Sequence, residues 1–200
     1  VLKRWQREGL PTYAQFDNGT QFQGAHQFAD AVGRMSRLCL ALGVIPVFAP
    51  PREPGFQNAI EGFNGLWQAK VWQRSKFKDI AQVKAASARY VSAHRARSSA
   101  RREQAPKRRA MPPNFSLNLN AKLKGTMIFL RRTDEHGQAH LLGQIFEICA
   151  RWAHRLVRCE VDFTQQRIRF YALRRRDPAD QPLLHEVPYR RKHKRFYGAL

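Results

Sequence analysis

FDNGTQF, residues 16–22, admits two readings, and the choice between them decides the fold. Asp-Asn-Gly between aromatic and β-prone residues is a hairpin signal, because Asn and Gly tolerate the positive φ angles of primed turns. A hairpin also needs a second strand with period-two alternation within a few residues, and none follows. Instead Phe28, Val32, Met35, Leu38, Cys39 and Leu42 recur at helical spacing, with Gly43 where a helix C-cap belongs. After it comes VIPVFAP, residues 44–50, a short β-branched apolar run of the kind that forms a buried strand. The spacing predicts a strand ending near Asp17, a helix from about Ala25 to Leu42 and a second strand from Val44 to Phe48. Such a βαβ unit sets Asp17 at the carboxyl end of its first strand, where open α/β sheets hold their ligands.

Working outward, residues 50–73 read PPREPGFQNAIEGFNGLWQAKVWQ. A loop rich in proline and glycine leads into a helix whose Ile60, Phe63, Leu66, Trp67 and Val71 form one apolar stripe. Asn58 is a natural N-cap, which puts Glu61 in or just after the first turn, where the helix dipole favours a carboxylate with no catalytic duty at all. Two glycines, Gly62 and Gly65, interrupt this helix at about 1 kcal/mol each relative to alanine, which means either that DNA or a neighbouring backbone passes close there or that the sequence is decaying.

The charge of the chain sets the class of partner. Its 200 residues carry 36 Lys and Arg against 15 Asp and Glu, a formal net charge of +21 and a pI of about 11.1. So large an excess is held against self-repulsion, and a polyanion, most economically nucleic acid, relieves it. Hydrophobic residues make up 43% of the chain, enough for a packed core and too many for a disordered one. The longest uncharged apolar stretch, Leu38 to Pro51, is too short to span a bilayer and is broken by Gly43 and Pro46. No secretory signal opens the sequence. Cys39, Cys149 and Cys159 form no CxxC pair and fit reduced core thiols, so the expected location is cytoplasmic. His136 and His140 have metal-pair spacing, but without a cysteine pair before them a solvated hairpin loop explains them better.

Asp17 and Glu61, with 43 residues between them, now stand at two places where strand ends and helix starts meet. FDNGTQF, LGVIPVFAPPREPG and NAIEGFNGLWQ in this order resemble the D-D-E integrase and transposase family, whose cores carry a DNG at the second Asp and a P...N..xE.xN segment at the catalytic Glu. HRARSSARREQAP, further on, looks like the trailer that follows such cores in insertion-sequence transposases. The likeness spans roughly residues 5 to 108. It implies a partial α/β ribonuclease H-like core, with Asp17 and Glu61 as catalytic residues and metal ligands. In such enzymes two Mg²⁺ or Mn²⁺ ions about 4 Å apart polarise a phosphate and activate a water or a DNA 3′ hydroxyl, and hard carboxylate oxygens suit those ions. The family's first Asp has no counterpart here and is expected on a strand upstream of Val1, in a longer protein whose helix end is seen in VLKRWQREGLP. The resemblance further implies DNA as partner, mobile-element ends and target together, a multimer assembled on it, and a bacterial cytoplasm or nucleoid. The alternative is a non-catalytic basic nucleic-acid-binding protein or a degenerate transposase remnant.

Beyond the core, Ile80, Val83, Tyr90 and Val91 predict a helix from Asp79 to His94 with a basic outer face, and nine Lys and Arg stand against one acid between Lys84 and Arg109. Clustered cations of this kind suit phosphate contacts, expected from Lys70, Arg95, Arg97, Arg101, Arg102, Lys107, Arg108 and Arg109. APKRRAMPPNFSLNLN reads as a linker. The period then changes to two: GTMIFLRR, LLGQIFEIC, RLVRCEVDF and QRIRFYAL are four strand candidates, most simply closed into a small all-β Src-homology-3-like barrel, as found after integrase cores. Arg167, Arg169, Arg174, Arg175 and Arg176 charge one edge of it, the last three as DNA contacts, and RRKHKRFYGAL ends the chain as a basic tail. The expected division is core 1–105, linker 106–122, barrel 123–176 and tail 177–200.

Overall fold

A computed structural model describes residues 1–25, 28–53 and 55–191, with the side chain of Arg102 outside the description. In chain order its elements are α1 (Leu2–Glu8), β1 (Tyr13–Phe16), α2 (Thr20–Gln23), α3 (Arg34–Ala41), β2 (Ile45–Phe48), α4 (Asn58–Trp67), α5 (Ile80–Arg97), α6 (Ser99–Glu103), β3 (Thr126–Arg132), β4 (Gln138–Leu141), β5 (Gln144–Glu147), β6 (Leu156–Asp162), β7 (Arg167–Ala172) and β8 (Leu183–Pro188). It is an α/β protein with a mixed six-stranded sheet, ordered β1-β2-β3-β6-β7-β8, and a separate β4–β5 pair. The chain forms two compact units. One joins residues 1–53 to 108–200 and holds both sheets; the other, residues 54–107, is helical.

In the sheet unit, β1, β2 and β3 run parallel and β3, β6, β7 and β8 antiparallel. Register places one residue of each strand in a single row: Phe16, Phe48, Phe129, Cys159, Phe170 and His185. Ring centroids of Phe16 and Phe48 lie 6.1 Å apart, those of Phe48 and Phe129 5.0 Å, and those of Phe170 and His185 6.3 Å. Phe48, Phe129 and Phe170 are fully buried in one core with Met127, Val157, Val161 and Ile168. A two-stranded parallel pair has too little buried face to stand alone, so β1 and β2 gain their stability by continuing into β3. The expected boundary between a core and a later barrel thus runs through the middle of one sheet. Residues 108–122, read as a linker, lie against this unit: Met111, Phe115 and Leu117 pack on the cluster of Trp5, Leu10, Leu38, Cys39, Leu42 and Val44, and Arg37 Nη1 donates to Leu119 O at 2.7 Å.

Several local expectations are corrected. Among the described residues, the helix expected from Ala25 to Leu42 is confined to the two-turn α3, and the short α2 lies before that span. Between them the chain doubles back, with Gly33 N–H bonded to Gln23 O at 2.8 Å; a Cβ on Gly33 would meet Phe22 O at 2.8 Å and Gly24 N at 2.9 Å. LLGQIFEIC is not one strand but a hairpin, because Leu142 and Gly143 both take positive φ (53° and 67°) as a two-residue primed turn requires. RLVRCEVDF behaves as read: Val157, Cys159, Val161 and Phe163 are buried, and Arg158, Glu160 and Asp162 half-buried. β8 was not anticipated.

In the helical unit α4 and α5 pair through Phe63, which meets Tyr90 at 5.7 Å and His94 at 5.1 Å, and through Trp67 Nε1, which donates to Ser87 Oγ at 3.1 Å. Gln57, not Asn58, is the N-cap of α4, and a π-helical turn at Gln68–Trp72 extends it. Asp79 caps α5 by accepting from Gln82 N at 2.8 Å. The expected stripe divides: Val71 is buried, while Ile60 and Leu66 stay exposed. Neither Gly62 nor Gly65 has an atom within 4 Å of where a Cβ would stand, so no described part of the protein passes close to them.

Candidate functional site

Asp17 follows β1 directly and is exposed. Its Oδ1 accepts the Gly19 N–H at 2.8 Å, an Asx turn in which the side chain closes a backbone-like ring. The next residue fastens the strand ends together: Asn18 Nδ2 donates to Ala49 O at 2.6 Å, and Ala49 N–H donates to Phe16 O at 3.1 Å. DNG is therefore neither a hairpin turn nor a free loop. It is a fixed elbow at the carboxyl edge of the parallel pair β1–β2. Glu61 lies in the first turn of α4, exposed, within the helical unit. Among the described residues no three His, Cys, Asp or Glu side chains gather closely enough to hold a metal ion.

Of the two histidines with metal-pair spacing, His136 lies in the turn before β4 and His140 in β4 itself, and both are exposed. Asp134 accepts from His136 N at 3.0 Å and Gln138 N at 2.8 Å, and these backbone bonds, that from Gln138 foremost, hold its carboxyl below the usual range. Burial pushes the thiols of Cys39 and Cys159 up to about 12, consistent with core packing and not with reactivity.

The basic residues sort by what already engages them. In the helical unit Lys70, Arg97, Arg101 and Lys107 are exposed and make no ion pair among the described residues. Arg95 is half-buried and lines a groove of about 550 Å³ along α5 with Lys84, Ser87 and Ser92. Arg102 belongs to α6, but its side chain lies outside the described set. In the sheet unit Arg108 Nη1 donates to Gly9 O and lies 3.9 Å from Glu8, while Arg109 Nη2 donates to Leu42 O at 3.1 Å and Gly43 O at 2.7 Å. Arg109 thereby serves the carbonyls at the end of α3, a structural duty that its place in a basic run does not reveal. Arg174 pairs with Asp180; Arg175 and Arg176 are exposed. Arg167 and Arg169, the charged edge, both pair with Glu186, which they hold below its usual pKa, Arg169 most strongly. Of the aromatics, Tyr171 packs under the Arg158 guanidinium at 4.5 Å, and the tail with Phe196 and Tyr197 lies outside the described residues.

One feature of the site escaped sequence reasoning. Arg131 is buried, in phase with Met127 and Phe129 on the inward face of β3. A cation at an inward position of an alternating strand was the available signal.

No model of a known protein family matches the chain, and no curated protein matches it. No helix among the described residues is long and apolar enough to cross a membrane.

Proposed function

We propose that this chain is part of a D-D-E integrase or transposase that binds DNA and, in the complete protein, cuts and joins it. The observation that carries the reading is Asp17, an exposed carboxylate fixed at the carboxyl edge of a parallel strand pair, followed in sequence by an exposed Glu61 in the first turn of α4. In this reading β1, β2 and their helices belong to a ribonuclease H-like core, and the antiparallel strands with the β4–β5 hairpin to a Src-homology-3-like unit.

Each carboxylate has a metal-ligand role in the complete enzyme. Asp17 keeps Oδ2 outside its turn, and the donors are hard oxygens, which fits Mg²⁺ or Mn²⁺. Ions held by these carboxylates would supply Lewis-acid activation of a phosphate and its attacking oxygen. The chain's own contribution is to hold DNA by its phosphates: Lys70, Arg97, Arg101 and Lys107 have no ion-pair partner among the described residues, so their charge is available to a polyanion.

A second reading, a non-catalytic basic nucleic-acid-binding protein or a degenerate transposase remnant, is favoured by the turn-closing duty that Asp17 already has. Mn²⁺ titration separates the two. The enzyme reading predicts weak binding by this chain that Asp17→Asn and Glu61→Gln each reduce; equal binding by Asp17→Asn sinks the assignment.

A further inference from the structure

A pocket of about 500 Å³ lies in the sheet unit beside the Asp17 elbow, where the β4–β5 hairpin folds over the ends of β1 and β2. Its wall includes Asn18, Gln23, Arg131, His140 and Gln144, with Pro51, Leu141, Leu142 and Ile145 supplying apolar surface. Arg131 is only 6% exposed. Its Nε donates to His140 O at 3.0 Å, Nη1 to Leu130 O at 2.8 Å and Nη2 to Gln23 Oε1 at 3.3 Å. A guanidinium has five N–H donors, so one on each terminal nitrogen is left over. Burial pushes its pKa down to about 10, which still leaves it a cation at neutral pH.

A buried cation is costly unless an anion compensates it. Among the described residues, Arg131 has no carboxylate partner and no Asp or Glu lines the pocket. Two carboxylates reach the lining only from outside. Asp134 stands 4.0 Å from the His140 ring, and Asp30 accepts from Gln144 Nε2 at 2.6 Å while it also accepts from Tyr189 OH. Gln23, 4% exposed, accepts from Arg131 through Oε1, which leaves its amide nitrogen as a further donor. Two guanidinium N–H groups on adjacent nitrogens are the number an oxyanion takes in a bidentate bond.

We propose that this pocket binds a small organic oxyanion, a phosphate or carboxylate, whose charged head is held by Arg131 and Gln23 and whose body lies against Leu141, Leu142 and Ile145. The ligand is small because the guanidinium is buried: the backbone of a stiff duplex cannot follow it inward. The site is separate from the exposed cations assigned to DNA and does not depend on that assignment.

The test is calorimetric titration of the whole chain with inorganic phosphate and with benzoate, chloride holding ionic strength constant. Saturable one-to-one binding of either anion is expected. Arg131→Met abolishes it and Arg151→Met, an exposed arginine outside the pocket, keeps it. If Arg131→Met does not fold, Arg131→Lys serves: an ammonium cannot make the paired bond, and affinity falls about tenfold, the loss of one charge-assisted hydrogen bond. Absence of saturable binding for both anions, or its survival in both Arg131 variants, overturns the proposal. A third arm adds duplex DNA to the anion-loaded protein. Retention of the bound anion is expected; stoichiometric displacement by DNA in the wild type would give the pocket to a DNA phosphate and overturn the small-ligand assignment.

Discussion

Phe129→Ala tests whether residues 1–53 and 108–191 share one sheet. The ring is fully buried, stacked 5.0 Å from Phe48 on β2 and aligned with Cys159 on β6, so its loss opens a cavity between a strand of the N-terminal segment and one of the C-terminal segment. Truncating a buried phenylalanine costs about 3–5 kcal/mol, a large part of the 5–15 kcal/mol that is about the usual stability of a domain. With a urea dependence of about 2 kcal/mol per molar, the midpoint falls by about 1.5–2.5 M. Tryptophan fluorescence reads both segments separately. Trp5 lies in the N-terminal segment, and Trp152 in the C-terminal one, its Nε1 donating to Leu156 O at 3.0 Å. In a Trp67→Phe, Trp72→Phe background, one chain retaining only Trp5 and another only Trp152 should unfold at a common midpoint that Phe129→Ala lowers equally. If the Trp5 transition stays put while the Trp152 transition moves, the segments fold independently and the continuous sheet is refuted.

Five further outcomes follow from the same geometry. If Lys70, Arg97, Arg101 and Lys107 contact phosphates, log Kobs for duplex DNA falls with log salt with a slope of at least about −3.6, and each alanine substitution makes it shallower by about 0.9; a flat dependence excludes phosphate-dominated binding. Asp79→Ala removes the cap that accepts from Gln82 N and costs the helical unit about 1 kcal/mol, read by circular dichroism; an unchanged melting curve contradicts the cap. Gly62→Ala with Gly65→Ala meets empty space and should raise helix stability by up to about 1 kcal/mol per site, and an accompanying loss of DNA affinity would show that DNA passes there. The Cys39 and Cys159 thiols sit at about 12 in the folded state against 9.0 for the ordinary thiol, so their share of stability is complete below pH 9 and is lost as pH rises toward 12. At pH 8 a thiol reagent should modify half-buried Cys149 first, and equal rates at all three sites would contradict the packing.

What the sequence made legible was local. Period-two alternation gave β6, and the VIPVF run gave β2, because each strand's own burial is written in its spacing. The pairing of β2 with β3, some 80 residues apart, left no trace in either segment, since register between distant strands is decided by the row of rings that assembles only when they meet. Helical spacing from Phe28 to Leu42 overran its helix because two packed glycines outweigh the apolar repeat. β8 hides for another reason: an edge strand with Leu183, His185 and Glu186 exposed carries no burial alternation. Of the candidate site, Asp17 at a strand end was readable from the helix and strand patterns that follow it, and Glu61 in a first helical turn from the change of loop to apolar stripe, although Gln57 and not Asn58 caps that helix. The structural duty of Arg109 was not separable from the basic run around it, whereas the inward position of Arg131 was written in its phase with Met127 and Phe129.

The most direct measurement of the central claim is a strand-transfer assay with Mn²⁺ and labelled duplex ends, using this chain preceded by the upstream strand that the family resemblance calls for. Nicking and joining of DNA by that protein is expected, abolished by Asp17→Asn and by Glu61→Gln while salt-dependent DNA binding persists. DNA binding without any cleavage, or cleavage that survives either substitution, contradicts it.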